Sequence, residues 1–277
     1  MARWLPFLLP LAAAACVAVV ATAALRDGGV ESSSDGTSDA AAATETETPM
    51  ADLRRPGNVC QGTLTRPAKG EPPRFAAMYT QRRDVLGIPV VGIDLVAEEA
   101  FDVAEDTIRD MLEDPALREP LTAEGAYVVI ADETQKVLEL PEFACLAGTS
   151  GASIYDHVCG VADRADYPVV TVSELDLIGD RSGPCRGLNV LYHELGHLVQ
   201  GWVLGSADYV DVRLLYQEAL DTGKYEGEYA ARNTHEYFAE STQAYFLSID
   251  RAGRRDRDWL KRYDPGMYQL LASVYGE

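Results

Sequence analysis

The most regular spacing of apolar positions lies at residues 188–202, where Leu188, Leu191, Leu195, Leu198 and Trp202 recur at intervals of three and four. That spacing predicts a helix with one apolar stripe. Residues 98–114 predict a second helix, with Phe101, Ala104, Ile108, Met111 and Leu112 on one face and acids on the other. A third falls over residues 229–246: Phe238, Tyr245 and, just beyond, Ile249 turn one way, Glu236 and Glu240 the other. Residues 263–277 supply a last helix. Residues 126–131 and 167–172 are short β-branched runs bounded by turn residues, and residues 87–92 form a further short strand. These predict a small sheet, in which residues 167–172 fit either an edge or a fully paired position. Residues 146–160, rich in Gly, Ser and Ala, predict a loop near the cleft, with His157 as an outer contact or simply exposed.

The patterning changes character at the N-terminus. After Arg3, residues 4–25 carry no charge, so residues 1–26 read as a signal peptide or a membrane anchor. Ala21-Thr22-Ala23 offers a cleavage site, and Pro6 and Pro10 weaken a continuous membrane helix. Cys16 after four alanines suggests a lipoprotein box, although Ala13 stands where a leucine is usual. Residues 27–57 are an acidic Ser/Thr/Ala-rich linker that cannot bury a core, which leaves 58–277 as one folded, extracytoplasmic domain.

That compartment governs the cysteines. Cys60, Cys145, Cys159 and Cys185 form an even set without C-x-x-C spacing and predict two disulfides in one of three pairings. Cys145 with Cys159 would close a short loop and leave Cys60 to join Cys185; the rival is Cys60 as a thiolate that masks a metal. A formal charge of −20 and a pI near 4.5 exclude a nucleic-acid partner, because phosphate binding needs a basic surface. The basic run from Arg251 to Arg262, interleaved with Asp256 and Asp258, reads as a solvated helix face, with an anionic-surface contact as the alternative.

The chemistry lies on the first helix, as His193-Glu194-x-x-His197. On a helix, histidines four apart have Cβ atoms about 5–6 Å apart and can hold one metal ion, while Glu194 points about a quarter-turn away and can act as a base. Both histidines fall opposite the apolar stripe. Gly196, costly inside a helix, implies that something approaches the backbone there. A catalytic zinc needs a third protein ligand and an open position, and Glu236 is the candidate, with Glu240 able to accept the spare N–H of a ligating histidine. Glu236 has a competing role, a capping box with Asn233. His235 points about 100° from its neighbour and is a poor candidate for the same ion.

His193-Glu194-Leu195-Gly196-His197, Tyr229 and the run from Asn233 to Glu240 together resemble the gluzincin metallopeptidases, most closely the catalytic domain of anthrax toxin lethal factor and its relatives. The resemblance is specific over residues 190–246, and the stretches 87–91 and 140–142 look like a secreted bacterial branch of the group. It implies Glu236 as the third zinc ligand, Glu194 as the base, Glu240 behind the ligands, and Tyr229, seven residues before Glu236, as donor to the oxyanion. No recognition domain is evident ahead of the catalytic one, so the toxin's target class is not expected to carry over, and disulfides suit an extracellular enzyme.

The expected fold is α+β and zincin-like, a small β-sheet packed with a mainly helical lobe that carries the site. The expected function is a secreted or surface-anchored endopeptidase with one Zn2+ ion and a peptide or protein substrate. The alternatives are a zinc hydrolase of a non-peptide amide or ester and a disulfide-stapled binding module with a structural or vestigial zinc.

Overall fold

A computed structural model describes residues 60–277 except 61, 69–70, 150–151, 163, 165 and 248–254, and leaves aside the side chains of 154, 156 and 157. The signal or anchor at 1–26, the linker at 27–57, Ile249, Arg251, Arg254 and the side chain of His157 lie outside the described residues.

The fold opens with a hairpin of β1 (Gln81–Val85) and β2 (Ile88–Gly92), joined by Leu86 and Gly87, both in the left-handed region at φ 55° and 85°. A two-residue turn of this kind matches the twist of the strands it joins. Helices α1 (Glu98–Leu112) and α2 (Pro115–Ala123) lead to β3 (Tyr127–Ala131). Short 3-10 turns follow between residues 137 and 157, then β4 (Gly160–Val161) and β5 (Val169–Ser173). The rest is helical: α3 (Glu174–Leu177), α4 (Leu191–Trp202), α5 (Ser206–Asp221), α6 (Thr234–Phe246), α7 (Arg257–Tyr263) and α8 (Pro265–Tyr275).

The sheet order is β1-β2-β3-β5-β4, with β2, β3 and β5 parallel and the two outer strands antiparallel to their neighbours. Both faces of the central strands are covered, which is why they read as continuous apolar runs. Val90, Val128, Ile130, Val170 and Val172 face the core shared with the helices. Val91, Tyr127, Val129 and Val169 face a second core built with residues 137–161. The architecture is therefore the expected α+β arrangement of a small sheet beside a helical lobe.

Several boundaries and pairings differ from the sequence reading. The strand at 169–173 is internal; the edge beyond it belongs to β4, whose Gly160 ends the stretch expected to be a loop and whose Val161 lies just past it. Helix α4 starts at Leu191, three residues late, because the Asn189 side chain accepts its first N–H at 3.0 Å. The disulfides are Cys60–Cys145 and Cys159–Cys185, replacing the Cys145–Cys159 and Cys60–Cys185 pairing. The two pairs belong to different cores, and Cys60, bonded in the second one, is no metal-masking thiolate. Within the described part of the basic run, Arg257 donates to the Tyr245 carbonyl at 2.8 Å and covers its ring, and Arg255 pairs with Glu228 and lies 4.7 Å over Trp259, while Lys261 and Arg262 are exposed on α7 as expected of a solvated helix face.

Candidate metal centre

Two helices make the site. α4 packs against α6 at Gly196, where an added Cβ would lie 3.2 Å from Thr242 Cβ and 3.3 Å from Ala239 Cα. The glycine whose cost in a helix pointed to a close approach is therefore where α6 comes in, and that approach brings Glu236 across from the histidines. Leu191, Leu195 and Leu198 fill the core on the other side of α4. Asn233 caps α6, its side chain accepting from the N–H groups of His235 and Glu236 at 2.9 Å each. The capping box is not completed. The Glu236 carboxylate turns inward to the imidazoles instead of back to the cap.

His193 Nε2 and His197 Nε2 are 3.1 Å apart, and a Glu236 oxygen lies 3.2 Å from the first and 3.4 Å from the second. Bonds of about 2.0–2.1 Å to a tetrahedral ion imply donor–donor separations of about 3.3 Å, so this spacing fits one small divalent cation. The electrostatics agree. Glu236 is buried at 1% exposure, and no well-directed hydrogen bond reaches either of its oxygens. A buried carboxylate in that condition is costly unless a cation compensates it. Without one, the site holds charge as an ion pair. Burial works against a charged His193, but Glu236, Glu240 and Glu194 outweigh it and hold the imidazole pKa well above its ordinary value. Burial likewise opposes the Glu236 carboxylate, and the two histidines outweigh it, holding that group well below the usual carboxylate range.

The other site residues surround this triad. Glu240 Oε1 lies 3.2 Å from His193 Nδ1, one turn along α6 from Glu236, where it orients the ring and leaves Nε2 for the ion. Tyr229, in the 3-10 turn before α6, sets its ring 6.2 Å from His193, and its buried hydroxyl has no hydrogen-bond partner among the described residues. Burial first, then the nearby Glu236 and Glu194, push its pKa up, so it stays a protonated donor. Arg232 lies 4.5 Å over the ring. His235 points away from the triad, with Nδ1 3.1 Å from Gln200 Oε1 and Nε2 3.3 Å from the Tyr209 hydroxyl, and so ties α6 to α4 and α5.

Two residues at the site escaped the sequence reading. Gly160 of β4 lies against Glu194: a Cβ there would meet Glu194 Cγ and Oε1 at 2.8 Å. Ser173 N–H donates to the Cys159 carbonyl at 2.8 Å, so in the antiparallel register Gly160 turns its own N–H and C=O away from β5. Asp176, 1% exposed, accepts from the N–H groups of Cys185 and Gly187 and holds the loop that leads into α4. The glycine beside a cysteine was the only hint of the first, and nothing in the spacing marked the second. Cys159, Asp176 and Cys185 also lie close enough for a metal, but the two sulfurs are bonded to each other.

Residues 98–274 match the family described as anthrax toxin lethal factor, N- and C-terminal domain. Among solved structures, the chain resembles the Pro-Pro endopeptidase PPEP-2 from Paenibacillus alvei, with a TM-score of 0.51 and 21% identity over 67% of this chain and 97% of that one. The likeness extends the zincin-like fold across nearly the whole of that structure. No curated protein matches the chain.

Proposed function

The chain belongs to the family of the anthrax toxin lethal factor N- and C-terminal domain, and from that membership we propose that it is a zinc-dependent endopeptidase with His193, His197 and Glu236 as metal ligands. The observation that carries this is the mutual spacing of 3.1–3.4 Å among two imidazole nitrogens and one buried carboxylate oxygen. An N,N,O donor set with a tetrahedral spacing suits zinc, and three protein ligands leave the open position of a catalytic site.

Bound there, zinc would draw the pKa of a water molecule toward neutrality and polarise the scissile carbonyl. Glu194 sits beside the ligands without being one of them and takes the proton of the attacking water. Tyr229, kept protonated by burial, donates its hydroxyl to the carbonyl oxygen as negative charge develops there. Glu240 holds His193 in the tautomer that leaves Nε2 free for the ion. Gly160, buried at the sheet edge beside Glu194, turns an N–H and a C=O away from β5, and this is where an extended peptide would add as one more strand. A larger residue at 160 would collide with the base.

The two disulfides support an extracytoplasmic enzyme. Among the described residues no helix is long and apolar enough to cross a membrane. Residues 58–277 form the catalytic domain in this proposal, with residues 1–26 as signal or anchor and 27–57 as linker. The test is cleavage of a random peptide pool by zinc-loaded protein, with and without chelator, beside the Glu194→Gln variant. Cleavage that the chelator abolishes, and that the variant loses while keeping its zinc, is the expected result. A zinc-bearing wild type that cuts no peptide would contradict it.

A further inference from the structure

β4 is only two residues long, both buried, and among the described residues it pairs with β5 alone, at Val172 and Thr171. So short a strand is weakly held by its own ladder. Other links fix it. Cys159, next to Gly160, is bonded to Cys185 in the loop before α4. The Cys185 N–H lies 3.1 and 3.0 Å from the two carboxylate oxygens of Asp176, and Gly187 N–H donates to the first of these at 2.8 Å. Asp176 belongs to α3, directly after β5, where Ser173 caps its N–H. The chain of contacts thus runs from the end of β5 through a buried carboxylate and a disulfide to Gly160 and Glu194.

We propose that Asp176 and the Cys159–Cys185 disulfide form a brace that holds the β4 edge in register beside Glu194, and so act as positioning residues for an extended peptide substrate. The proposal rests on the peptidase reading for its substrate, while the brace itself is a statement about β4. The second disulfide is an internal control. Cys60–Cys145 lies in the core on the other sheet face, beside the buried Arg164, which donates to the Cys60 carbonyl at 2.8 Å. It spans 85 residues against 26, so its loss costs the fold more stability.

The experiment compares Cys159→Ala/Cys185→Ala, Cys60→Ala/Cys145→Ala, Asp176→Ala and Asp176→Asn in the zinc-loaded full chain. Read out are zinc content, KM, kcat and the exchange rate of the Ser173 amide, whose acceptor is the Cys159 carbonyl. The brace pair is expected to raise KM about tenfold, lower kcat less, keep its zinc and speed Ser173 exchange. The control pair leaves all four near wild type despite a lower melting temperature. Asp176→Ala follows the brace pair, and Asp176→Asn, which retains an acceptor oxygen, recovers most of the loss. An unchanged KM in the brace pair, or an equal change in the control, overturns the proposal. Should the wild type cut no peptide, the peptidase reading fails by itself, and Ser173 exchange decides the brace: faster in the brace pair alone upholds it, equal in both overturns it. If the brace pair fails to fold, the two Asp176 variants give the same decision.

Discussion

Two glutamates, each 1% exposed, lie in the two cores of this protein and have opposite surroundings. On the far sheet face, Glu142 accepts a hydrogen bond on each oxygen, from Tyr79 at 2.6 Å and Tyr127 at 2.9 Å, while Arg164 donates to its backbone carbonyl at 2.7 Å. In the helical lobe, neither oxygen of Glu236 has a well-directed donor, and two imidazole nitrogens crowd one of them. Burial alone therefore does not mark a functional carboxylate. What separates the two is whether the protein supplies the partners, since buried polar groups in a structural role are satisfied and an unsatisfied one awaits something else.

The sharpest contrast is Glu236→Ala against Glu142→Ala. The first should lose zinc and all measurable peptidase activity while still folding. The second should keep its zinc but lose stability, at about 1–3 kcal/mol for each tyrosine hydroxyl left without an acceptor. Metal analysis and thermal melts on both variants check this. Next comes Tyr229→Phe, which removes the unpartnered hydroxyl: kcat should fall about 10²–10³-fold with metal content unchanged, and steady-state kinetics measure it. Glu240→Gln should weaken zinc binding about 10–100-fold, because it loosens the His193 ring without removing a ligand, as a competing chelator titration would show.

The smallest effect is on pH dependence. In metal-free protein the raised His193 pKa stabilises the fold at low pH, and that contribution disappears as pH rises through the raised value. The lowered Glu236 pKa contributes above the ordinary carboxylate range and is lost as pH falls through the lowered value. Metal-free protein should thus melt highest between those limits. Zinc must displace the His193 proton, so its affinity should rise with pH until that group is neutral. Melting curves and zinc titrations across pH read both effects.

How much of this could be read from the chain follows the range of the interactions. The helices around His193 and Glu236 were visible because apolar stripes at Leu191, Leu195, Leu198 and Phe238 are local signals, and Gly196 announced the approach of α6. β1 was not visible. It is an outer strand whose Arg83 reaches across to Glu98 and Asp102 of α1, so its composition is polar. α5 buries only Tyr209, Val212 and Ala219 and exposes Val210 and Leu214, which blurs its stripe. The disulfide pairing, the two-residue β4 and the Asp176 loop depend on which strands become neighbours, and no local spacing carries that information. The site's chemistry was local to two helices; its edge was assembled across the fold.

The central claim is that one ion joins side chains of α4 and α6. Anomalous scattering at the zinc edge from crystals of zinc-loaded protein tests it most directly. One peak per chain is expected, about 2.0–2.2 Å from Nε2 of His193, Nε2 of His197 and a carboxylate oxygen of Glu236. No peak at saturating zinc, or a peak with Glu236 beyond bonding distance, would contradict it.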